Sequence, residues 1–137
     1  MMNQKINAIW SGSFKKGAGK FTSENPLMNN MDFHFMKRAN KNATLPEEFL
    51  AAAYSACFNM TMVMLLSKEN YTIRTLDTDC TITYGADCVT GAELSLIGEV
   101  EEISADKFQE LAKEAKLQCP VGKSFTFPAK LNIIMLK

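Results

Sequence analysis

The run from Phe49 to Leu66, eighteen residues without a charge, constrains this chain more than any other stretch. Its length and its Ala, Leu and Met content predict a helix rather than a strand. Thr44-Leu45-Pro46-Glu47 supplies a start signal of the capping-box type, with Pro46 in the first turn, and Lys68 and Asn70 suit the end. A run of this length sits at the edge of what a membrane span needs. Tyr54, Ser55, Asn59 and Thr61 interrupt it, however, and its flanks read as amphipathic strands, so a buried core helix is expected and not a membrane segment. A helix apolar all round has to be covered on every side. One small sheet and one further helix do not suffice for that, and the expectation is an intertwined homodimer with this helix at its centre.

The rest of the chain predicts a single domain over residues 1–137. Val, Ile, Leu, Met, Ala, Cys and the aromatics make up 47% of it, enough for a real core. Fifteen basic residues balance fifteen acidic ones, so no net field favours nucleic acid or an anionic membrane. Met1 to Ile9 contains no continuous apolar run of the signal-peptide kind, which makes the cytoplasm the expected location.

Alternation marks the strands. Ile6, Ala8 and Trp10 form one, followed by a hairpin region punctuated by Gly12, Gly17 and Gly19. After Glu24-Asn25-Pro26, the series Met31, Phe33, Phe35 predicts a strand ending near Lys37 and Arg38. Leu76, Thr78, Cys80, Ile82 and Tyr84 alternate, as do Leu94, Leu96, Gly98 and Val100. A second helix, capped by Ser104, is predicted to reach about Gln118, with Phe108, Leu111, Ala112 and Ala115 on one face and Cys119 next on it. Phe125, Phe127, Leu131, Ile133 and Met135 predict a last strand. Strands outnumber helices without alternating regularly with them, so the fold class is α+β.

Four cysteines occur, at 57, 80, 88 and 119, with no C-x-x-C pair and one histidine, His34. That spacing does not fit a structural zinc site, and no metal is expected. In the cytoplasm a disulfide is usually catalytic or redox-sensing. Cys57 lies mid-helix, where a cysteine is ordinarily a small buried hydrophobe, and burial alone would raise its pKa. A reactive Cys57 needs a positive charge from elsewhere, because no Lys or Arg occurs between Lys41 and Lys68. Cys80 alternates with apolar strand residues and reads as structural. Cys88 lies by a turn, and His34 reads as a strand surface residue.

The stretch Leu45-Pro46-Glu47-Glu48-Phe49-Leu50-Ala51-Ala52-Ala53-Tyr54-Ser55-Ala56-Cys57-Phe58 resembles the OsmC/Ohr pattern of Asn-Pro-Glu, an alanine-rich turn and Ala-Cys-Phe. Cys119-Pro120-Val121-Gly122-Lys123 resembles that family's second cysteine motif, Cys-Pro-Val-Ser. Ala8-Ile9-Trp10-Ser11-Gly12 followed by Lys16-Gly17-Ala18-Gly19 is similar to the opening hairpin of the OsmC branch. The resemblance implies antiparallel sheets wrapped around the central helix of an intertwined homodimer. It also implies a thiol peroxidase that reduces organic hydroperoxides, and hydrogen peroxide less well in many members, with no bound cofactor and an external dithiol, such as a lipoyl-bearing protein, as reductant.

Carried over residue by residue, the resemblance makes Cys57 the peroxidatic thiol, Cys119 the resolving thiol and Glu47 the site carboxylate. For the site arginine, counting back from Pro46 without gaps gives Lys37. Aligning on the aromatic-x-x-Arg spacing gives Arg38, three residues after Phe35, at the cost of a one-residue deletion in the next loop. Alternation also puts Arg38 opposite the Phe33 and Phe35 face, and its planar fork suits a thiolate and a carboxylate together, so Arg38 is preferred. Leu45 departs from the usual asparagine and Gly122 from the usual serine.

Within one straight helix Glu47 and Cys57 stand about 15 Å apart. They meet only if the glutamate comes from a second copy, with two helices crossing antiparallel near Ala51, Ala52 and Ala53. The rival from another class is a non-enzymatic redox sensor or apolar-ligand binder that uses Cys57 and Cys119 as a switch. Phe58, Met60, Met62 and Met64 are expected to be mostly core, with some lining an apolar pocket.

Overall fold

The computed structural model describes residues 1–35 and 43–136. By its internal contacts the chain divides into two compact units, Met1–Phe49 and Leu50–Lys137.

In the first unit, strands β1 (Asn7–Ser11), β2 (Ala18–Thr22) and β3 (Asp32–Phe33) form an antiparallel sheet in that order. A 3-10 turn, Pro26–Met28, links β2 to β3, and the Asn25 side chain caps it by accepting from the Leu27 N–H at 3.0 Å. Among the described residues the third strand ends at Phe33, short of Phe35, which the alternation includes. After Phe33 the backbone bonds are taken by the chain returning beside it: His34 N–H donates to the Thr44 carbonyl at 3.1 Å, and Thr44 N–H donates to Asp32 at 2.8 Å. Lys37 and Arg38 lie outside the described residues. His34 is not the surface residue its strand position suggests. It is buried, stacked on Phe35 at 4.8 Å and 5.3 Å from the Trp10 ring, because the aromatic side chains of the hairpin cover it.

Helix α1 runs Pro46–Lys68, beyond the uncharged stretch at both ends. Its cap is displaced by one residue from the expected one. Leu45 N–H donates to Glu48 Oε1 at 2.8 Å, while the Thr44 hydroxyl donates to the Asp32 carbonyl at 2.9 Å. The capping carboxylate is therefore that of Glu48 and not of Glu47. At the far end Asn70 adopts φ 63°, and Tyr71 N–H closes on the Leu66 carbonyl at 3.1 Å.

The second unit holds the main core. Tyr54, Phe58, Met62, Leu65 and Leu66 of α1 pack with inward residues of the following strands and helix, among them Leu94, Leu96, Val100, Phe108, Leu111 and Ala115. Two of the polar residues that break the α1 run are used as anchors. Asn59 Nδ2 donates to the Leu76 carbonyl at 3.2 Å and Asn59 Oδ1 accepts from Thr78 Oγ1 at 2.6 Å, while Thr61 Oγ1 donates to the Cys57 carbonyl at 2.9 Å. Although α1 is long and apolar enough to cross a membrane by length and composition, one face of it is core. The other face, with Ala52, Ala53, Ala56, Met60, Val63 and Met64, stays exposed, Met60 at 71%. Met60 and Met64 are thus not core within one chain, whereas Phe58 and Met62 are.

Strands β4 (Ile73–Tyr84) and β5 (Val89–Val100) form a long antiparallel hairpin, and β6 (Ala129–Leu136) adds to β5 in parallel, with Leu94 opposite Leu131 and Leu96 opposite Ile133. This sheet is mixed, not antiparallel throughout. Helix α2 (Ala105–Gln118) and the short helix α3 (Pro120–Lys123) form the crossover that brings the chain back to start β6 in the direction of β5. Phe125 and Phe127 belong to that crossover and precede the strand. Helix α2 follows its sequence signals closely. The Ser104 hydroxyl accepts from Lys107 N–H at 3.1 Å, and Phe108, Leu111, Ala112 and Ala115 form its buried stripe.

Candidate functional site

Two of the four predicted site residues come together inside the second unit. Cys119 occupies the junction of α2 and α3 and is fully buried. Its N–H donates to the Ala115 carbonyl at 2.9 Å and its own carbonyl accepts from Lys123 N–H at 3.0 Å, so its backbone is held on both sides. Pro120 cannot extend the hydrogen-bond ladder of α2, and the chain turns there, aiming the Cys119 side chain at α1. Its thiol is a neighbour of that of Cys57, which is half-buried in the middle of α1 and acts on the Cys119 proton. Both cysteines are reduced.

The surroundings of Cys119 act on its proton in opposite directions. Burial raises the pKa most strongly, and the hydrogen bond and charge of Cys57 raise it further. Backbone N–H groups of Gly122 and Val121 point at the sulfur and lower it, Gly122 the more strongly, but the net direction is up. The surroundings of Cys119 thus favour its thiol form. Burial also raises Cys80, whose half-buried side chain packs on the core, in keeping with a structural place for it. Cys88 is exposed.

Tyr54 is a member of this site that the sequence did not single out. It lies one helical turn before Cys57, on the neighbouring face, and is almost wholly buried. Its hydroxyl pKa is raised, first by burial and then by the charges of Cys119 and Cys80. Its ring meets Phe125 edge-on at 5.3 Å, and Phe125 stacks on Phe127 at 4.6 Å, making an aromatic wall beside the thiols. The departure at Gly122 has a physical account here. A Cβ on Gly122 would stand 2.9 Å from Tyr54 Cε1 and 3.2 Å from its hydroxyl oxygen, so a side chain there requires the buried tyrosine to move. The three-residue spacing from Tyr54 to Cys57 was the available signal.

Of the other two predicted residues, Glu47 lies among the described residues. Glu47 is half-buried in the first turn of α1, ten positions before Cys57 on the same helix. Thr44 and the Glu48 cap fix the backbone that carries it. Arg38 and its alternative Lys37 lie outside the described residues.

An α+β fold with two neighbouring free cysteines, one mid-helix and the other at a helix junction, is the class of structure this chain presents. The comparisons with known proteins narrow that class. The model of the OsmC-like protein family matches residues 39–134, and the chain belongs to that family. It is 28% identical over 127 residues to Peroxiredoxin OsmC of Escherichia coli, covering 89% of each chain. It is 26% identical over 128 residues to Organic hydroperoxide resistance protein-like 2 of Staphylococcus epidermidis, covering 86% of this chain and 89% of the other. In fold it is similar to an OsmC-like protein from Mycoplasma pneumoniae, with a TM-score of 0.81 at 12% identity, over 99% of both chains.

Proposed function

We propose that this protein is a cysteine-based peroxidase that reduces organic hydroperoxides, and hydrogen peroxide less readily, to the corresponding alcohol or water. The observation that carries this reading is that Cys57, in the middle of α1, has the buried thiol of Cys119 as its neighbour. Names of relatives such as peroxiredoxin and organic hydroperoxide resistance protein support the same chemistry.

In the proposed cycle the Cys57 thiolate attacks the terminal oxygen of ROOH. The O–O bond breaks, the alkoxide takes a proton and leaves as ROH, and Cys57 becomes a sulfenic acid. Cys119 attacks that sulfur, water leaves with the thiol proton, and a Cys57–Cys119 disulfide forms. An external dithiol restores both thiols by exchange and is itself oxidised to a disulfide; a lipoyl group fits that role. Arg38 stabilises the Cys57 thiolate and Glu47 orients the guanidinium.

Because Glu47 and Cys57 are about 15 Å apart along one helix, Glu47 acts on the Cys57 of a second copy. The uncovered α1 face, Ala52 to Met64, supports a homodimer in which two copies of α1 pack where alanines allow close approach. The cytoplasm is the proposed location.

Stopped-flow oxidation of the reduced protein tests the reading, with cumene hydroperoxide and hydrogen peroxide as oxidants and Cys57→Ser as control. Fast oxidation that depends on Cys57 and ends in a disulfide between positions 57 and 119, seen by mass, is expected. Oxidation no faster than that of a free thiol would remove the peroxidase.

A further inference from the structure

The proposed cycle gives no task to Tyr54, although its ring is almost wholly buried beside the thiols. Its contacts lie on the turn that follows Cys119. A Cβ on Gly122 would stand 2.9 Å from Tyr54 Cε1 and 3.3 Å from Cζ, and three positions later the ring meets Phe125 edge-on at 5.3 Å. Resting on the peroxidase reading above, we infer that Tyr54 is a positioning residue for the resolving thiol: its ring fills the space left open at Gly122 and so fixes the α3 turn against Cys119.

Space, and not backbone conformation, makes position 122 a glycine. Gly122 lies inside α3, in a helical conformation that other residues adopt as readily, and among the described glycines only Gly12 has a positive φ. A side chain there would run into a ring that belongs to the main core and has no free volume to yield into. The turn in its own right needs an outside hold. A helix of four residues has no stability of its own, and α3 begins without a side-chain cap. Its internal bonds are local: Lys123 N–H donates to the Cys119 carbonyl at 3.0 Å, and Phe125 N–H donates to the Gly122 carbonyl at 3.2 Å. These set the shape of the turn. Its placement comes from α2 on one side, through Cys119 N–H on the Ala115 carbonyl, and from Tyr54 of the 23-residue α1 on the other.

Placement matters to the chemistry because the N–H groups of Gly122 and Val121 are what oppose burial at the Cys119 sulfur, Gly122 the more strongly. In the resolving step Cys119 gives up its proton and its sulfur attacks the sulfenic sulfur of Cys57. The S–O bond breaks, and hydroxide leaves with that proton as water. The thiolate fraction of Cys119 enters this rate, whereas the attack of Cys57 on the peroxide does not draw on it. A displaced turn therefore slows the second step selectively.

Rapid-quench oxidation of the full-length reduced protein by cumene hydroperoxide separates the two steps, with the sulfenic acid trapped by dimedone and the disulfide counted by mass. NMR of protein labelled with 13C at cysteine Cβ follows the titration of Cys119. Gly122→Ala and Tyr54→Ala are each expected to slow disulfide formation about tenfold, as for losing one contact to a charged sulfur, and to change Cys57 oxidation less than about twofold. Both should move the Cys119 titration upward. Tyr54→Phe keeps the ring and should retain both the disulfide-forming rate and the titration. The effects of the two alanine substitutions should not multiply, because Tyr54→Ala leaves room for the methyl group at position 122. Equal slowing by Tyr54→Phe, multiplying effects, or loss of both steps together in the alanine variants would overturn the positioning role. Should Cys57 oxidise no faster than a free thiol, the peroxidase reading falls and the titration alone decides: a Cys119 midpoint unmoved by both alanine substitutions removes the hold of Tyr54 on the turn as well.

Discussion

The two units of the chain manage their apolar side chains in opposite ways. In Leu50–Lys137, Phe58, Met62, Leu66, Leu94, Leu96 and Phe108 are almost completely removed from water, and the thiol pair is set among them. In Met1–Phe49 the large rings stay partly in water, and what is buried among the described residues is small or polar: Gly19, His34 and Ala43. Interior packing holds the two neighbouring sulfurs of the second unit in place. The open rings of the first give up that burial.

The largest expected effect breaks the closed side of that contrast. Phe108 lies fully buried on α2, in the same core as Cys119. Phe108→Ala should cost about 3–5 kcal/mol, the range for removing a buried ring and leaving a cavity. Urea unfolding of the reduced protein measures it. A loss under about 1 kcal/mol would mean that this core is not what holds the second unit together.

A smaller effect comes from protons. Tyr54, Cys80 and Cys119, all in the second unit, have pKa values raised chiefly by burial. A raised folded-state pKa means that the native protein keeps a proton the unfolded chain has already lost. The contribution to stability is therefore complete below the unfolded thiol value, about 8.5, and is lost as pH rises through the folded value. Urea midpoints of the reduced protein should fall from pH 7 to pH 9.5, and Cys119→Ala should shrink that fall. Equal midpoints at the two pH values would show that the buried thiols bind no extra protons in the native state.

The contrast also explains what the sequence could disclose. Helix α2 was legible in full, because a Ser104 cap and a stripe at helical spacing are local signals. The α1 run was legible as a helix, but its cap was misplaced by a residue: Thr44 has a competing backbone partner in Asp32, fixed by a parallel bridge invisible in one dimension. The direction of β6 was not legible, since alternation is the same in parallel and antiparallel strands. Cys119 was placed on the α2 stripe correctly, yet its contact with Cys57 depends on the crossover geometry, and only the family resemblance paired the two. Tyr54 was missed for the same reason: its place depends on a glycine that accepts a ring from elsewhere in the fold, Gly122.

The smallest expected effect tests the open side. Phe14 is large and apolar, and by composition alone its loss should be as damaging as that of Phe108. Its exposure argues otherwise. A ring 72% in solvent, held mainly by a 4.1 Å stack on Phe35, has little transfer free energy to lose. Phe14→Ala should therefore change the unfolding free energy by no more than about 0.5 kcal/mol, as for an ordinary surface substitution. The same urea experiment that is run on Phe108→Ala measures it. A loss of about 2 kcal/mol or more would mean that the ring is covered in solution, by a second copy of the chain, and a concentration-dependent midpoint would identify that cover. The first unit would then be closed by assembly, and the contrast between the two units would belong to the single chain alone.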